Sequence, residues 1–180
     1  PSAKKFYAVP RQEDYVYLAA NITNWEKLNI VEGPMSTYYN NAYLGESYLD
    51  TRFANDTLVA SFGVDRKVQI SRVKKLDEES QKTLGVNRHI NLIYDIDVRN
   101  LHSENIDILV EDQVPVSQDS DIEVFVTEVS GAKHDPLNGR LKWDMNLKPG
   151  EVRKLRVTFE IVMPKNRYRR GFSLPGFGIL

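Results

Sequence analysis

The feature that most constrains the fold of this chain is the strict alternation of apolar and polar residues in its second half. Segments 141–147 and 155–161 alternate at every position, and 90–98 alternates with one exception. Successive side chains of a β-strand point to opposite faces of the sheet, so each segment has one buried and one solvent-facing side. Shorter stretches at 106–110 and 122–126 repeat the pattern, without a comparable helical period. The sequence therefore predicts an all-β domain.

Turn dipeptides separate these strands. Asn138-Gly139 precedes the segment that begins at Leu141, and this dipeptide accepts the positive φ values of tight hairpin turns. Pro149-Gly150 has the residue types expected at the second and third positions of a turn. We therefore predict an antiparallel hairpin between 140–148 and 151–163. Repeated short strands and turns are typical of an antiparallel β-sandwich, here with about ten strands.

The first half of the chain has a less regular pattern. Strands are predicted near 15–22, 57–63 and 67–74, with a shorter hairpin at 37–49. The charged segment 76–82 is interpreted as a loop and as an internal boundary. The pattern leaves two organisations open: one β-rich unit over 1–180, or two packed subdomains, with an aromatic-rich half at 1–80, an immunoglobulin-like sandwich half at 86–164 and a tail at 165–180.

Composition argues against several classes of protein. The chain has no cysteine, so disulfides, thiolate catalysis and cysteine-bound zinc are excluded. Its 24 basic and 25 acidic residues give a net charge of −1, without the basic excess of nucleic-acid-binding proteins. No apolar run is long enough for a transmembrane span, and no phosphate-binding or dinucleotide-binding glycine motif occurs. We therefore predict no cofactor, no nucleic-acid partner and no enzymatic activity.

Several strings, taken in order and spacing, resemble a known family. The most specific are Ala20-Asn21-Ile22-Thr23-Asn24-Trp25 and Val110-Glu111-Asp112-Gln113-Val114-Pro115-Val116-Ser117. Further matches are Tyr7-Ala8-Val9-Pro10, Tyr48-Leu49-Asp50, Asp56-Thr57-Leu58 and Leu147-Lys148-Pro149-Gly150-Glu151. Over 6–164, nearly the whole chain, the sequence resembles the C-terminal domain of the mucoidy inhibitor A family, a bacterial domain of unknown function.

This resemblance implies a bacterial cell-envelope protein, periplasmic or extracellular, whose longer form carries a signal peptide, an N-terminal β-domain and a coiled-coil stretch. It implies no established catalytic residues. The chain starts with Pro1 rather than methionine, and we expect it to be part of that longer protein. The expected function is a non-catalytic structural or interaction domain that binds a protein partner or a second copy of itself.

Aromatic residues suggest an alternative function, which is carbohydrate binding. Seven of the nine tyrosines precede residue 50. Their rings offer faces on which sugar rings stack, although tyrosine and tryptophan also supply bulk to sandwich cores. Consecutive strand residues cannot both face one core, so part of the Tyr38-Tyr39 pair is expected to be exposed. The candidate ligand-binding residues for a polysaccharide are Trp25, Tyr38, Tyr39 and Tyr43.

Two further clusters have ordinary structural explanations beside their functional ones. Asp119, Asp121 and Glu123 alternate, which would place three carboxylates on one strand face as a weak calcium candidate. The glycine-containing loop of a calcium motif is missing, so no metal site is predicted. The histidines at 89, 102 and 134 lack the spacing of zinc ligands and are interpreted as exposed.

The C-terminal tail combines basic and apolar residues. We interpret Arg169, Arg170, Phe172 and Phe177 as a partner-docking arm that adds to a neighbouring sheet edge. The alternatives are a weak membrane-surface anchor and a frayed or locally packed terminus. A third functional hypothesis is a hydrolase with dispersed carboxylates. A cleft that holds two close carboxylates with perturbed pKa values would support it.

Overall fold

The computed structural model describes residues 3–39, 42–49, 51, 57–76 and 80–166. The regular secondary structure of this part consists of strands and one short 3-10 helix at Trp25–Leu28, which confirms the all-β prediction. The strands are β1 (Ala3–Ala8), β2 (Val16–Thr23), β3 (Gly33–Tyr39), β4 (Ala42–Leu49), β5 (Thr57–Val64), β6 (Val68–Lys74), β7 (Ser80–Leu84), β8 (Asn87–Asn100), β9 (Ile106–Gln113), β10 (Glu123–Glu128), β11 (Lys133–Asp135), β12 (Arg140–Leu147) and β13 (Val152–Pro164).

The strands form three sheets with a sandwich-like, mainly antiparallel organisation. The six-stranded sheet has the order β11-β12-β9-β1-β2-β5, and the five-stranded sheet has the order β10-β13-β8-β6 with β7 paired to β8. Strands β3 and β4 form a separate two-stranded sheet. Strand β1 runs antiparallel to β2 and parallel to β9, with Phe6 opposite Ile108. The immunoglobulin-like character of 86–164 stays a prediction.

The predicted hairpin of 140–148 with 151–163 is wrong. Strand β12 pairs with β9 and β11, whereas β13 pairs with β8 and β10. The Pro149-Gly150 turn therefore joins strands of different sheets. Gly150 has the positive φ of 73° that the turn needs, and its N–H donates to the carbonyl of Asn100. A strand that alternates between apolar and polar residues can have one buried face in either sheet. The sequence pattern therefore does not determine which strands β13 pairs with.

The turn predicted at Asn138-Gly139 is confirmed as the link between β11 and β12. Asp135 and Arg140 are opposite each other, so four residues form the loop rather than two. The Gly139 N–H donates to the Asp135 carbonyl at 2.8 Å, and Gly139 has a φ of 71°. A Cβ atom at this position would lie 2.1 Å from the carbonyl oxygen of Val114, so glycine is required here.

The segment 76–82 is not wholly a loop. Its last three residues, Ser80 to Lys82, belong to β7, which pairs with β8 from Ser80 opposite Asn91 to Leu84 opposite Asn87. Residues 77–79 lie outside the described part. Most of β7 is exposed on both sides, so it lacks the apolar alternation that identifies a half-buried strand.

The chain divides into two compact units, and the division predicted at 1–80 and 86–164 stays a prediction. The first unit comprises 1–70, 98–110 and 144–152. Within it, Leu49, Leu58 and Ala60 form a cluster beneath the β3–β4 hairpin, with Ile22, Trp25, Ile30, Met35 and Phe62 packed against it. The other buried apolar side chains of this unit include Phe6, Ala8, Val16, Leu18, Ile106, Ile108, Val110 and Leu147.

The second unit comprises 71–97, 111–143 and 153–180. The Tyr94 and Phe159 rings stack at 6.0 Å in its core. Each large apolar side chain that is removed from water stabilises the fold by roughly 1.5–3 kcal/mol. The buried apolar side chains of this unit include Ile90, Leu92, Ile96, Leu141, Trp143, Leu155, Val157, Ile161 and Met163.

The string Glu111-Asp112-Gln113-Val114 makes structural contacts in this second unit. The Asp112 carboxylate is fully buried, and Arg72 Nε donates to it at 2.8 Å while its guanidinium lies 3.8 Å above the Tyr94 ring. Gln113 Nε2 donates to the carbonyl of Asn138 at 2.7 Å, and the Val114 N–H donates to that of Gly139 at 2.9 Å. One of the two most specific strings of the resemblance therefore anchors the β11–β12 turn.

Candidate functional site

The β3–β4 hairpin has one buried and one exposed face. On the buried side, Thr37 is 3% and Leu49 is 9% exposed. On the opposite side, Tyr38, Tyr43 and Tyr48 are 66%, 55% and 62% exposed. Tyrosine side chains are usually at least half buried when their only role is to fill space, so three exposed rings on one sheet face form a candidate binding surface. We call the outer-face residues Pro34, Ser36, Tyr38, Tyr43, Glu46 and Tyr48 the tyrosine face.

Strand register defines the geometry of the tyrosine face. Tyr38 is opposite Tyr43, Ser36 is opposite Glu46, and Pro34 is opposite Tyr48. The Tyr38 and Tyr43 ring centroids lie 5.4 Å apart, with the ring planes inclined at 58°. At about 3.3 Å per residue, Pro34 and Tyr38 are roughly 13 Å apart along β3. The ring pair and Tyr48 therefore occupy the two ends of a strip, with a hydroxyl and a carboxylate between them.

A β-bulge brings these tyrosines to the same side. The pairing shifts between Thr37 and Tyr38, because β4 contains one more residue than β3 over this stretch. In a regular strand, Tyr43 and Tyr48 would lie on opposite faces, since they are five residues apart. Gly45 has a φ of 144° beside the extra residue, and its carbonyl accepts a hydrogen bond from Thr37 Oγ1 at 3.0 Å.

The Tyr43 hydroxyl keeps its proton at neutral pH. Desolvation, followed by repulsion from the Glu46 carboxylate, raises the pKa of Tyr43 above its ordinary value of 10.0. A protonated phenol both donates and accepts hydrogen bonds. The tyrosine face therefore combines aromatic surface with hydroxyl groups and one carboxylate.

The structure brings together two of the four predicted ligand-binding residues. Tyr38 and Tyr43 form the ring pair described above. Trp25 is half-buried and packs against the Leu49 cluster. Tyr39 is the last residue of β3, and its side chain lies outside the described part of the structure. Tyr48 is one of the seven tyrosines before residue 50, but only the register reveals that it shares a face with Tyr38. Ser36 and Glu46 were not selected from the sequence for the same reason.

The carboxylates at 119, 121 and 123 do not share one strand face, as the alternation predicted. Strand β10 begins at Glu123, whereas Asp119 and Asp121 precede it in a turn. The Asp121 N–H donates to Asp119 Oδ1 at 3.0 Å, which is a common role for aspartate in turns. Among the described residues, no group of three or more His, Asp or Glu side chains is placed to hold a metal ion.

Two histidines are less exposed than predicted. His89 Nδ1 lies 3.1 Å from Glu160 Oε1, and His102 Nε2 lies 3.1 Å from Asp65 Oδ1. Both residues are half-buried, so their interpretation as exposed is wrong, while His134 is exposed. The predicted docking residues Arg169, Arg170, Phe172 and Phe177 lie outside the described residues.

A polar cleft of about 650 Å³ lies in the second unit. Arg156 Nε and Nη2 donate to the two carboxylate oxygens of Asp95 at 2.7 and 3.0 Å. Lys154 Nζ donates to Asp97 Oδ2 at 3.2 Å. The other lining residues are Ser71, Val73, Lys75, Glu128, Ser130 and Leu155.

The loop beside this cleft is held in place from the core. Ser130 has a positive φ of 43°, and its Oγ accepts the Arg156 N–H at 2.7 Å. The buried indole of Trp143 donates to the carbonyls of Val129 and Ser130 at 3.0 and 3.2 Å. The sequence did not indicate this cleft, because its residues come from separate strands.

The cleft is lined by three carboxylates, as the hydrolase hypothesis requires, but the pKa of Asp95 is shifted in the wrong direction for a general acid. Hydrogen bonds from Arg156, assisted by the charges of Arg156, Lys75 and Lys154, lower the pKa of Asp95. A general acid needs a raised pKa so that it holds a proton at neutral pH. Asp95 and Asp97 instead form cross-strand ion pairs, which commonly stabilise the solvent-facing side of a sheet.

Comparison with known proteins places the chain in a family but attaches no activity to it. No described helix is long and apolar enough to cross a membrane. No curated protein matches the chain. A family model described as "Domain of unknown function (DUF4139)" matches residues 3–165, which include all thirteen described strands. The chain therefore belongs to the DUF4139 family of domains of unknown function.

Proposed function

We propose that this chain is a non-catalytic binding domain of a bacterial cell-envelope protein, and that the tyrosine face is its binding surface. The observation that carries this proposal is the exposure of Tyr38, Tyr43 and Tyr48 on one side of a hairpin whose other side is buried. Tyrosine combines a large apolar ring with a polar end, and it is enriched at binding surfaces for that reason.

The envelope location rests on the strings shared with the C-terminal domain of the mucoidy inhibitor A family. In a periplasmic or extracellular location, a domain of this kind contacts envelope components: another protein, a second copy of the chain or a polysaccharide.

The non-catalytic role is supported by the chemistry of the polar cleft. The lowered pKa of Asp95 keeps this carboxylate ionised in an ion pair with Arg156. Such a group is a poor proton donor and, being stabilised by the guanidinium, a weak base. The pairing favours a structural role over hydrolysis.

Binding to isolated envelopes tests the proposal. The domain is mixed with untreated cell-envelope fragments from a bacterium that encodes it, and co-sedimentation is measured as a function of concentration. We expect the triple variant Tyr38→Thr/Tyr43→Thr/Tyr48→Thr to lose about tenfold or more in affinity, since each exposed ring contributes contact area. Threonine retains the preference for strands, so the hairpin is preserved.

Tyr15→Thr is the matched control, because Tyr15 is 56% exposed but lies outside the tyrosine face. This variant should sediment with the envelopes as the unaltered domain does. Equal sedimentation of the triple variant and the control would contradict the proposal, as would an absence of sedimentation by the unaltered domain.

A further inference from the structure

We infer that the tyrosine face binds an uncharged glycan chain. This inference rests on the proposed function, that the face is a binding surface, and it specifies the chemical class of the ligand. Three features of the face carry it: the residue types, the arrangement of the rings and the sign of the charge.

The residue types fit a sugar better than a protein. The core of a protein–protein interface is enriched in tyrosine too, but also in tryptophan, phenylalanine, methionine and arginine, and it is depleted of charged residues in general. The tyrosine face instead carries three phenols, one hydroxyl and one carboxylate, with Pro34 as its sole non-aromatic apolar residue. A sugar ring has the complementary chemistry, because its C–H face stacks on an aromatic ring while its rim of hydroxyl groups hydrogen-bonds with polar side chains.

The arrangement of the rings fits an extended chain rather than a single sugar. Tyr38 and Tyr43 form one aromatic position, and Tyr48 forms a second one roughly 13 Å along the hairpin at about 3.3 Å per residue. Because the Tyr38 and Tyr43 rings are inclined at 58°, they form an angled contact surface and not a flat one. Successive rings of an oligosaccharide are rotated about their linkages. An angled contact surface and a separate second aromatic ring, that of Tyr48, therefore suit such a chain.

The charge of the face selects among glycans. Glu46 lies between the two aromatic positions and is the only charged residue of the tyrosine face. A carboxylate accepts hydrogen bonds from sugar hydroxyl groups, but it repels the carboxylates of an acidic polysaccharide. The face is therefore selective for uncharged glycans over acidic ones.

Calorimetric titration with defined oligosaccharides tests this inference. The neutral probes are cellohexaose, laminarihexaose, mannohexaose and N-acetylchitohexaose, and the acidic probe is hexagalacturonate. We expect at least one neutral probe to bind more tightly than the acidic probe. Tyr48→Thr and Tyr43→Thr should each weaken that binding by about tenfold, whereas Tyr15→Thr should leave it unchanged.

Glu46→Gln provides the test of selectivity, because glutamine keeps an acceptor oxygen and removes the charge. This variant should bind hexagalacturonate several-fold more tightly and retain the neutral probe. Circular dichroism of each variant should match that of the unaltered domain, so that a loss of binding reports on the face and not on folding.

Binding of no neutral probe would overturn the inference. So would neutral binding that survives the tyrosine substitutions, or tighter binding of the acidic probe by the unaltered domain. If the tyrosine variants lose binding to untreated envelopes while no oligosaccharide binds, the face is a protein-binding surface: the proposed function stands and the glycan inference fails.

Discussion

At the scale of single residues, the polar side chains that matter most for stability are buried and paired. Asp112 is 3% exposed, and its two carboxylate oxygens accept hydrogen bonds from Arg72 Nε and from the Gln113 N–H at 2.8 and 2.7 Å. Asp144, by contrast, pairs with Lys5 at 2.9 Å in a position where 61% of its side chain is exposed. Loss of a buried partner leaves a charge without compensation, whereas loss of an exposed one is offset by water.

The contrast gives a first prediction. Asp112→Ala should lower the free energy of unfolding by about 3–5 kcal/mol, because the cation of Arg72 stays buried without its carboxylate. Asp144→Ala should change it by less than about 1 kcal/mol. Urea unfolding followed by tryptophan fluorescence measures both values, and equal losses in the two variants would refute the assignment of Asp112 as a buried anchor.

A second prediction concerns Asp95 and pH. Arg156 lowers the pKa of Asp95 in the folded state below its ordinary value of 3.8. The ion pair therefore stabilises the fold above pH 3.8 and loses its contribution as the pH falls through the lower folded value. The pair is partly exposed, so we expect a contribution of about 0.5–1 kcal/mol.

Arg156→Met tests this expectation. The stability difference between this variant and the unaltered domain should be constant from neutral pH down to about 4.5 and should shrink below that, since Asp95 then becomes protonated. Chemical unfolding at a series of pH values measures the difference. A difference that grows as the pH falls would contradict the direction of the shift.

At the scale of elements, two glycines with nearly the same backbone conformation separate the cost of a positive φ from the cost of close packing. Gly139 and Gly150 have φ values of 71° and 73°. A Cβ atom at Gly139 would lie 2.1 Å from the carbonyl oxygen of Val114, whereas one at Gly150 would have no neighbour within 4 Å. Gly150→Ala therefore measures the conformational cost alone.

We expect Gly150→Ala to destabilise the domain by about 1 kcal/mol, which is the usual cost of a left-handed conformation. Gly139→Ala should cost about 3 kcal/mol or more, since the β11–β12 turn must also move away from Val114. Thermal unfolding of the two variants gives the comparison. Equal losses would show that the turn at Gly139 relaxes freely.

The longest strands with one buried face were predicted well, whereas β1 and two largely exposed strands were not predicted. Strands β8, β12 and β13 each alternate between buried and less buried positions over most of their length, and their sequences predicted them closely. Strands β7 and β11 are largely exposed on both sides, so no apolar pattern marks them. The bulge in β4 was invisible for a related reason: period-two counting assumes a regular strand.

At the scale of the whole molecule, one buried side-chain amide stabilises the turn through which the chain passes from the six-stranded sheet to the five-stranded sheet. Asn100 ends β8 and is fully buried, and its Nδ2 lies 2.9–3.1 Å from the carbonyls of Glu104, Leu147 and Lys148. Its Oδ1 accepts the His102 N–H at 2.9 Å. These contacts fix the end of β12 and the Pro149-Gly150 turn, from which the chain enters the five-stranded sheet.

Asn100→Asp should therefore destabilise the domain by about 2–4 kcal/mol, because a carboxylate of the same shape cannot donate to the three carbonyls. Asn146→Asp is the control, since Asn146 donates to Asp107 at 2.8 Å on the exposed side of β12. Urea unfolding compares the two variants. A smaller loss in Asn100→Asp than in Asn146→Asp would show that the connection does not depend on the amide.

By itself, the sequence determined that this protein is an all-β domain, where most of its half-buried strands lie and that it carries no recognisable catalytic motif. These properties depend on neighbouring residues, because the two faces of a strand are encoded at successive positions. The tertiary structure alone decided that β12 and β13 join different sheets and that Tyr38, Tyr43 and Tyr48 share one exposed face. Strand pairing and the register shift at the bulge depend on contacts between distant residues, which no local pattern specifies.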